Sequence, residues 1–436
     1  MAPVVVGVLA VVTAVPAWWP APPVELGPLD RTGQIIGEAA EVDDIAEVSV
    51  IDYDAGNAQV RTVQVRLVDG LWRISSKDNY PADNEGKVGE AIGALLNQQY
   101  GRSIEGSGSG DAWLAQFGLG DPSQQAEGSG THVTLSTAGG KKVVDVIIGD
   151  QAAVGTGRYV RLAGESAVYT APITRIPSTR FIDWVERDLL KVQTSNIDSF
   201  IVDRHTVRLE QDNPVDLGQS VQFSGADEAW QSTATPVGQQ VNKEAVDNLL
   251  SRLASLRITD LSPRTENPQI MGVHGFFATQ DGNVFGKEGA LRVTDALGFT
   301  YHCFFGEVAV QSSEADAESA NPDRFMAIWV TYLQDQDSAL PSRPPQPEPA
   351  AADADEATRA AAAKAIEGYG ERLTQYQSDL QSHLQGRSDK VAQLNQRFGE
   401  YFFVVSGADF SGLHPELEAL FEPLAIDNAA GIPTGN

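Results

Sequence analysis

Apolar and polar residues alternate with a period of two over residues 45–51 (IAEVSVI) and again over 60–68 (VRTVQVRLV), the pattern of strands with one buried face. Asp52, Asp54, Gly56 and Asn57 supply a hairpin turn between them. Val60, Val63, Val65 and Leu67 are the candidates for the inward face, and Trp72 and Ile74 continue the sheet. After Pro81 and Asp83 the period changes. Val88, Ala91, Ile92, Leu95 and Leu96 fall on one side of a helix, an apolar stripe to lay on the sheet. Residues 132–136 and 142–148 read as a hairpin around Gly139-Gly140. Residues 158–162 and 167–169 read as a second strand pair. Short helices are expected at Trp113–Phe117, ending at Gly118 or Gly120, and over 181–190 with Phe181, Trp184, Val185 and Leu189 inward.

The pattern then repeats. Trp230 follows Trp72 by 158 residues, and the same offset relates Val246 to Val88, Leu250 to Ile92, Leu253 to Leu95 and Gly298 to Gly140. Each unit has an apolar run that ends in glycine and a carboxylate, Gly149-Asp150 and Gly306-Glu307. Arg158-Tyr159-Val160 parallels Arg324-Phe325-Met326, and residues 196–202 resemble 44–50. The expected fold class is therefore α+β: two tandem repeated units of antiparallel sheet plus helix, over residues 35–190 and 191–335. Trp72 and Trp230 serve as equivalent packing anchors.

Residues 336–354 are a Pro/Ala-rich linker, extended where proline dominates. A helical, coiled-coil-like arm follows over 355–400. Ile366, Tyr369, Leu373, Tyr376 and Leu380 form its seam. Gly386 interrupts it, and Val391, Leu394 and Phe398 resume on a second helix or a kinked continuation; the arm pairs either within the chain or between chains. Residues 401–436 hold an apolar strand (YFFVV) that returns to the second sheet, a helix over 413–424 and a tail. At the other end, residues 4–19 (VVVGVLAVVTAVPAWW) carry no charge, slightly short of the roughly 20 apolar residues of a full span. Trp18 and Trp19 suit a membrane interface. Residues 1–20 are read as a membrane anchor, with a cleaved signal and a buried helix as alternatives, and 21–34 as a proline-rich spacer. The anchor and the signal both place the bulk of the chain outside the cytoplasm.

Charge and chemistry narrow the function. The chain has 436 residues and a formal net charge of −28, which works against nucleic acid and anionic lipid surfaces as partners. Cys303 is the single cysteine, so there is no intrachain disulfide and no cysteine-based zinc site; its apolar surroundings mark a buried hydrophobe. Asp52, Asp54, Gly56 and Asn57 lack the closing glutamate of a calcium loop. The GSGSGD run at 106–111 lacks the third glycine of a dinucleotide fingerprint and the lysine of a P-loop, and reads as a linker. Asp150 and Glu307 invite an acid–base reading, but carboxylates after glycine at strand ends are commonly turn chemistry. His132, His205, His274, His302, His383 and His414 show no metal-ligand spacing. No catalytic, cofactor-binding or metal-binding residue is assigned and no cofactor is expected.

The Trp72-Arg-Ile segment, Tyr80-Pro-Ala-Asp83 and the helix after it resemble the family called domain of unknown function 4340. So do Val146-Ile-Ile-Gly-Asp150, Arg158-Tyr-Val-Arg161 and Val168-Tyr169. Phe305-Gly-Glu307, Arg324-Phe325, Arg397-Phe398 and Tyr401–Ser406 look like its longer, membrane-anchored members of planctomycete-like bacteria. The resemblance implies a bacterial envelope protein with an N-terminal anchor, often encoded beside ABC-type transport components; it carries over no catalytic residue. The expected function is a non-enzymatic, extracytoplasmic (periplasmic), membrane-anchored interaction or accessory protein with an envelope or transporter partner. One alternative is a glycan- or peptide-binding module using a groove between the two units, with Trp72, Trp113, Trp184 or Trp230 exposed in it. A second is a hydrolase that gathers Asp150, Glu307 or His302 in one pocket.

Overall fold

The computed structural model describes residues 30–424 apart from 105–109, 187, 208–214, 217, 227–228, 266, 279–283 and 310–320. The expected N-terminal membrane helix lies outside the described residues, as does most of the GSGSGD run. No described helix is long and apolar enough to cross a membrane.

The fold is α+β, built on two large, mostly antiparallel sheets. Strand β1 (Ile45–Asp54) turns into β2 (Gln59–Val68), which leads to β3 (Leu71–Ile74) and the short β4 (Tyr80–Pro81). The Asp54 carboxylate builds the first turn by accepting the Gly56 N–H at 2.9 Å and the Asn57 side-chain amide at 2.6 Å. Two compact units divide the chain within β2: residues up to Thr62 with Gly89–Pro177 form the first, and Val63–Val88 with the chain from Ser178 form the second.

In the first unit β1 pairs with β5 (Thr131–Thr137), and the ladder continues through β6 (Lys142–Gln151), β7 (Arg158–Leu162) and β8 (Tyr169–Ala171), antiparallel throughout. Val48, Val50, Val133, Leu135, Val146 and Val160 are fully shielded from solvent, each contributing about 1.5–3 kcal/mol by burial. Gly140 takes φ +78° in the β5–β6 turn, a conformation other residues rarely adopt. The helix expected after Asp83 is reduced to one α-turn, α1 (Gly89–Gly93), after a wide turn over Asn84–Val88. The Asp83 carbonyl accepts both Lys87 and Val88 N–H groups, which widens that turn. The expected stripe of Val88, Ala91, Ile92, Leu95 and Leu96 is buried nonetheless. A second short helix, α2 (Asp111–Ala115), is followed by a turn that closes at Gly118 with φ +64°.

The second unit holds β9 (Ile197–Asp203), β10 (Ser220–Ala226), β11 (Ala229–Gln231), helix α3 (Lys243–Ala254), β12 (Ile258–Pro263), α4 (Pro268–Val273) and the small hairpin β13 (Phe276–Ala278) and β14 (Val284–Gly286). Then come β15 (Ala290–Asp295), β16 (Leu297–Val308), β17 (Arg324–Asp337), helix α5 (Glu356–Gly399), β18 (Tyr401–Val405) and α6 (Gly407–Leu413). Its large sheet runs β11-β10-β9-β15-β16-β17-β18-β12. The first unit's β1-β5-β6-β7 order is thus matched by β9-β15-β16-β17. Asn242 caps α3 by accepting the Ala245 N–H, and Val246, Leu249, Leu250 and Leu253 face inward. Side chains alternate across the sheet: Leu291, Val293, Cys303, Met326, Ile328 and Val330 are buried on one face, while Arg292, His302 and Trp329 take the opposite face. All five residues of β18 are buried, because this strand lies between β17 and β12.

The segment Val63–Val88 packs within this unit. The Tyr80 ring meets Phe181, Tyr401 and Phe403 edge-on at centroid distances of 5.7, 5.1 and 6.4 Å. Tyr401 donates its hydroxyl to the Asp78 carbonyl at 3.1 Å, and Lys77 pairs with the buried Asp260 at 2.5 Å.

Three further expected elements differ. Over 181–190 only a 3₁₀ turn forms, Phe181–Asp183. Here the backbone finds other partners: Trp184 donates its indole N–H to the Ser178 carbonyl at 2.7 Å and accepts the Asp83 N–H at 2.8 Å. Trp184, Val185 and Leu189 are still buried. Over 413–424 there is no continuous helix: α6 ends at Leu413, Pro415 follows, and Leu417–Leu420 forms a 3₁₀ turn before a short strand, Phe421–Pro423. Finally, α5 runs unbroken through Gly386 for 44 residues. One glycine costs a helix about 1 kcal/mol, too little to stop one flanked by good helix formers.

Helix α5 and its linker form a hairpin of unlike halves. The carboxylate of Asp337, at the end of β17, binds His383 at 2.7 Å and Arg387 at 2.9 Å on α5. From His383 back to the helix start at Glu356 is roughly 40 Å at 1.5 Å per residue. Eighteen residues join Asp337 to Glu356; with turns near both ends, the stretch 341–350 covers about 30 Å of that distance at about 3.1 Å each in polyproline II geometry. The linker has no helix or strand over 341–350, and Pro341, Pro344, Pro347 and Ala350 are half-buried at a spacing of three, the polyproline repeat. Tyr369, Leu373, Tyr376 and Leu380 of the seam are half-buried as well.

Candidate functional site

The glycine–carboxylate pairs are the first candidates, and both are structural. A β carbon on Gly149 would meet the Phe117 carbonyl oxygen at 2.2 Å, and one on Gly306 would meet the His274 carbonyl oxygen at 2.2 Å. Those carbonyls end the short helices α2 and α4 and accept the Asp150 and Glu307 N–H groups, each at 2.9 Å. From the next strand Arg158 donates to the Gly149 carbonyl at 3.0 Å and Arg324 to that of Gly306 at 3.5 Å. The rings beside them correspond too: Phe117 meets Tyr159 at 4.9 Å, and His274 meets Phe325 at 4.5 Å. In both units, then, glycine lets a helix end dock on a strand, and the following acid closes the contact through its backbone. The Asp150 side chain is exposed. Glu307 pairs with Lys287, which outweighs burial and holds its carboxyl below the usual value.

The other expected residues divide similarly. Cys303 is completely buried, and burial pushes its thiol up to about 12, so it is an inert core residue. His132 binds Asp145 at 2.7 Å, His274 binds the Ile270 carbonyl at 2.8 Å, and His383 belongs to the α5 anchor. His414 lies against Phe410 and Phe305, and burial, reinforced by Arg204 and Arg324, pushes it down to about 3. Among the described residues no group of three or more His, Cys, Asp or Glu side chains could hold a metal. Trp72 and Trp184 are buried; Trp113 and Trp230 are half-buried, packed against Phe117 and Phe200 respectively.

Of the sequence-flagged residues, His302 lines a cavity, and His205 joins it there. This cavity of about 410 Å³ lies on the open face of the second sheet, with Asp203, Arg264, Phe285, Arg292, Phe304, Trp329 and Thr331 among its other walls. Glu307 does not line it. Arg292, His302 and Trp329 are direct cross-strand neighbours on β15, β16 and β17, so they form one row across three strands. Asp203, at the end of β9, reaches the Arg292 guanidinium at 3.1 Å. The buried His205 donates through Nε2 to the Gly286 carbonyl at 2.9 Å, leaving its Nδ1 3.2 Å from the Asp203 carboxylate without hydrogen-bond alignment. Burial raises the Asp203 pKa, but His205 and Arg292 outweigh it and hold the carboxyl below its ordinary value. His302 Nε2 lies 2.9 Å from the Thr331 hydroxyl, and burial, helped by the charge of Arg292, lowers it to about 4. It is therefore neutral near pH 7 and a weak base for catalysis. Trp329 is 45% exposed and Arg264 lies over its ring at 6.0 Å.

Sequence reasoning missed Trp329, Arg264 and Arg292. Trp329 sits in the run MAIWV, which reads as buried on both faces. Only the fold shows that the odd-numbered positions there look outward.

These features define an α+β protein of two antiparallel-sheet units, with one basic and aromatic cavity on a sheet face of the second. Residues 72–271 match the family model described as Domain of unknown function (DUF4340). Asp203, His205 and Arg264 fall within it; the β15–β17 wall of the cavity lies beyond. No curated protein and no solved structure matches the chain.

Proposed function

We propose that this chain is a non-enzymatic binding and accessory protein of the bacterial envelope, anchored through residues 1–20, with its bulk outside the cytoplasm and an ABC-type transporter as partner. Its two α+β units are tandem copies, and the recurrent helix–glycine–arginine clamp at Gly149 and Gly306 supports that descent. The observation that carries the binding role is the cavity on the second sheet. It offers an exposed indole, two arginines and a neutral histidine, a lining suited to holding a ligand. The low pKa of His302 favours binding over proton-transfer chemistry. The helix–polyproline arm adds a long surface through which an accessory protein meets a partner.

Fractionation of cells expressing the full chain, followed by affinity capture from detergent-solubilised membranes, tests this. The protein should be found in the membrane fraction and co-purify with transporter subunits. Recovery in the soluble cytoplasmic fraction would overturn the reading.

A further inference from the structure

We infer that the cavity on the second sheet binds a carboxylate-bearing sugar, one uronic acid ring of a short glycan. This rests on the reading of the chain as a binding module and names the ligand class.

The row Arg292–His302–Trp329 sets the dimension. Neighbouring strands lie about 4.8 Å apart, so arginine and indole are separated by roughly 10 Å across the row. A single pyranose ring with its carboxylate spans that interval. Asp203 holds Arg292 through one contact, Nη2 to Oδ2 at 3.1 Å, and a guanidinium has five N–H donors. The pinned arginine therefore presents a fixed fork to a carboxylate. Trp329 supplies the other end. Its exposed indole face carries partial negative charge and attracts the C–H face of a sugar ring. Arg264, 6.0 Å over the same indole, bounds the stacking site and adds a second cation. Between them stand His302 and the Thr331 hydroxyl, uncharged polar groups suited to sugar hydroxyls.

An acidic peptide fits less well. Peptides commonly gain affinity by adding a strand to a sheet edge, and this cavity lies on a sheet face whose strands β15 and β16 are paired on both sides, while β17 beside Trp329 has its Val330 N–H and carbonyl taken by the Asn395 amide. A long polyanion is disfavoured by the −28 charge of the chain. A short acidic glycan meets the local field of Arg264 and Arg292, the latter paired with Asp203.

Isothermal titration of the full chain with trigalacturonate, maltotriose and triglutamate tests the inference, alongside the Trp329→Ala and Arg292→Gln variants. Trigalacturonate should bind saturably, at least tenfold more tightly than either other probe. Each variant should weaken it at least tenfold. Trp329 is exposed, so its variant should keep the wild-type urea midpoint. If maltotriose or triglutamate binds as well as trigalacturonate and still depends on Trp329, the acidic-sugar assignment fails while the binding module stands. If no probe binds, or binding is indifferent to both variants, the acidic-sugar assignment fails and the cavity loses its role as the ligand site.

Discussion

Gly149 and Gly306 show how much one hydrogen atom in place of a methyl group can decide. Each faces a carbonyl oxygen 32 residues earlier in the chain, Phe117 and His274, at a distance where no β carbon fits. Gly306→Ala should therefore lower stability by about 2–3 kcal/mol, the cost of overpacking a tight contact, read as a shift of the urea midpoint. The motif was visible in the sequence as a repeated glycine plus acid. Its reason was not, because the partner carbonyl comes from a distant helix end and no local pattern records that approach. The buried histidines give a second prediction at this scale. The His302 and His414 pKa values fall to about 4 and about 3 in the folded chain, against about 6.5 when unfolded. The unfolded state thus binds more protons between those values, and stability must rise with pH through that window. The contribution is complete above about pH 6.5 and shrinks as pH falls toward 4. Denaturant midpoints at pH 7 and pH 5 should differ in that sense, and His302→Gln should reduce the difference.

Among elements, α5 depends on a few contacts near its C-terminal end. Leu394 and Phe398 are its only buried residues among those described. Asn395 bonds both the N–H and the carbonyl of Val330 at 2.8 Å. Asp337, its side chain fully enclosed, accepts from His383, Arg387, the Tyr332 hydroxyl and the Ala339 N–H. Burial opposes its ionisation, yet these partners together keep its carboxyl far below the ordinary carboxylate range. Asp337→Ala leaves Arg387 and His383 without their acid and should cost about 3 kcal/mol, as breaking a buried pair does. Faster hydrogen exchange across α5 at unchanged overall helicity would show that the anchor, not the helix, was lost. The seam of this helix was legible from its three-and-four spacing. Its continuity was not, since a glycine marks a break only where the surrounding residues leave the helix marginal. Nor was the 3₁₀ turn at Phe181 legible, because the Trp184 indole N–H and carbonyl are satisfied by Ser178 and Asp83, the latter about a hundred residues away.

For the whole molecule, 59 acidic side chains against 31 basic ones set the dominant long-range force. Self-repulsion of this size destabilises the compact state and is screened by salt. The melting temperature at pH 7 should therefore rise between low ionic strength and about 0.5 M NaCl; a fall would mean that specific ion pairs such as Asp337–Arg387 outweigh the net field. The two-unit pattern could be read from the offsets of Trp72, Val88 and Gly140 and their later counterparts, because each fills a position the fold uses twice. The cavity could not. Its walls come from β9, β14–β17 and the loop after β12, so Asp203, Arg264, Arg292 and Trp329 become neighbours only once the strands are ordered.

The hairpin of α5 and its linker carries one more consequence. An extended proline strand advances about 3.1 Å per residue and a helix 1.5 Å, so along the extended part of the linker one residue matches roughly two helical ones. Ordinary surface loops gain or lose residues freely. Here a deletion in the linker would pull the helix start toward Asp337 or tear the anchor, whereas compensated changes in both arms would preserve the strut. Variation in arm length among related chains should therefore arrive in matched pairs, as a ruler recut on both edges.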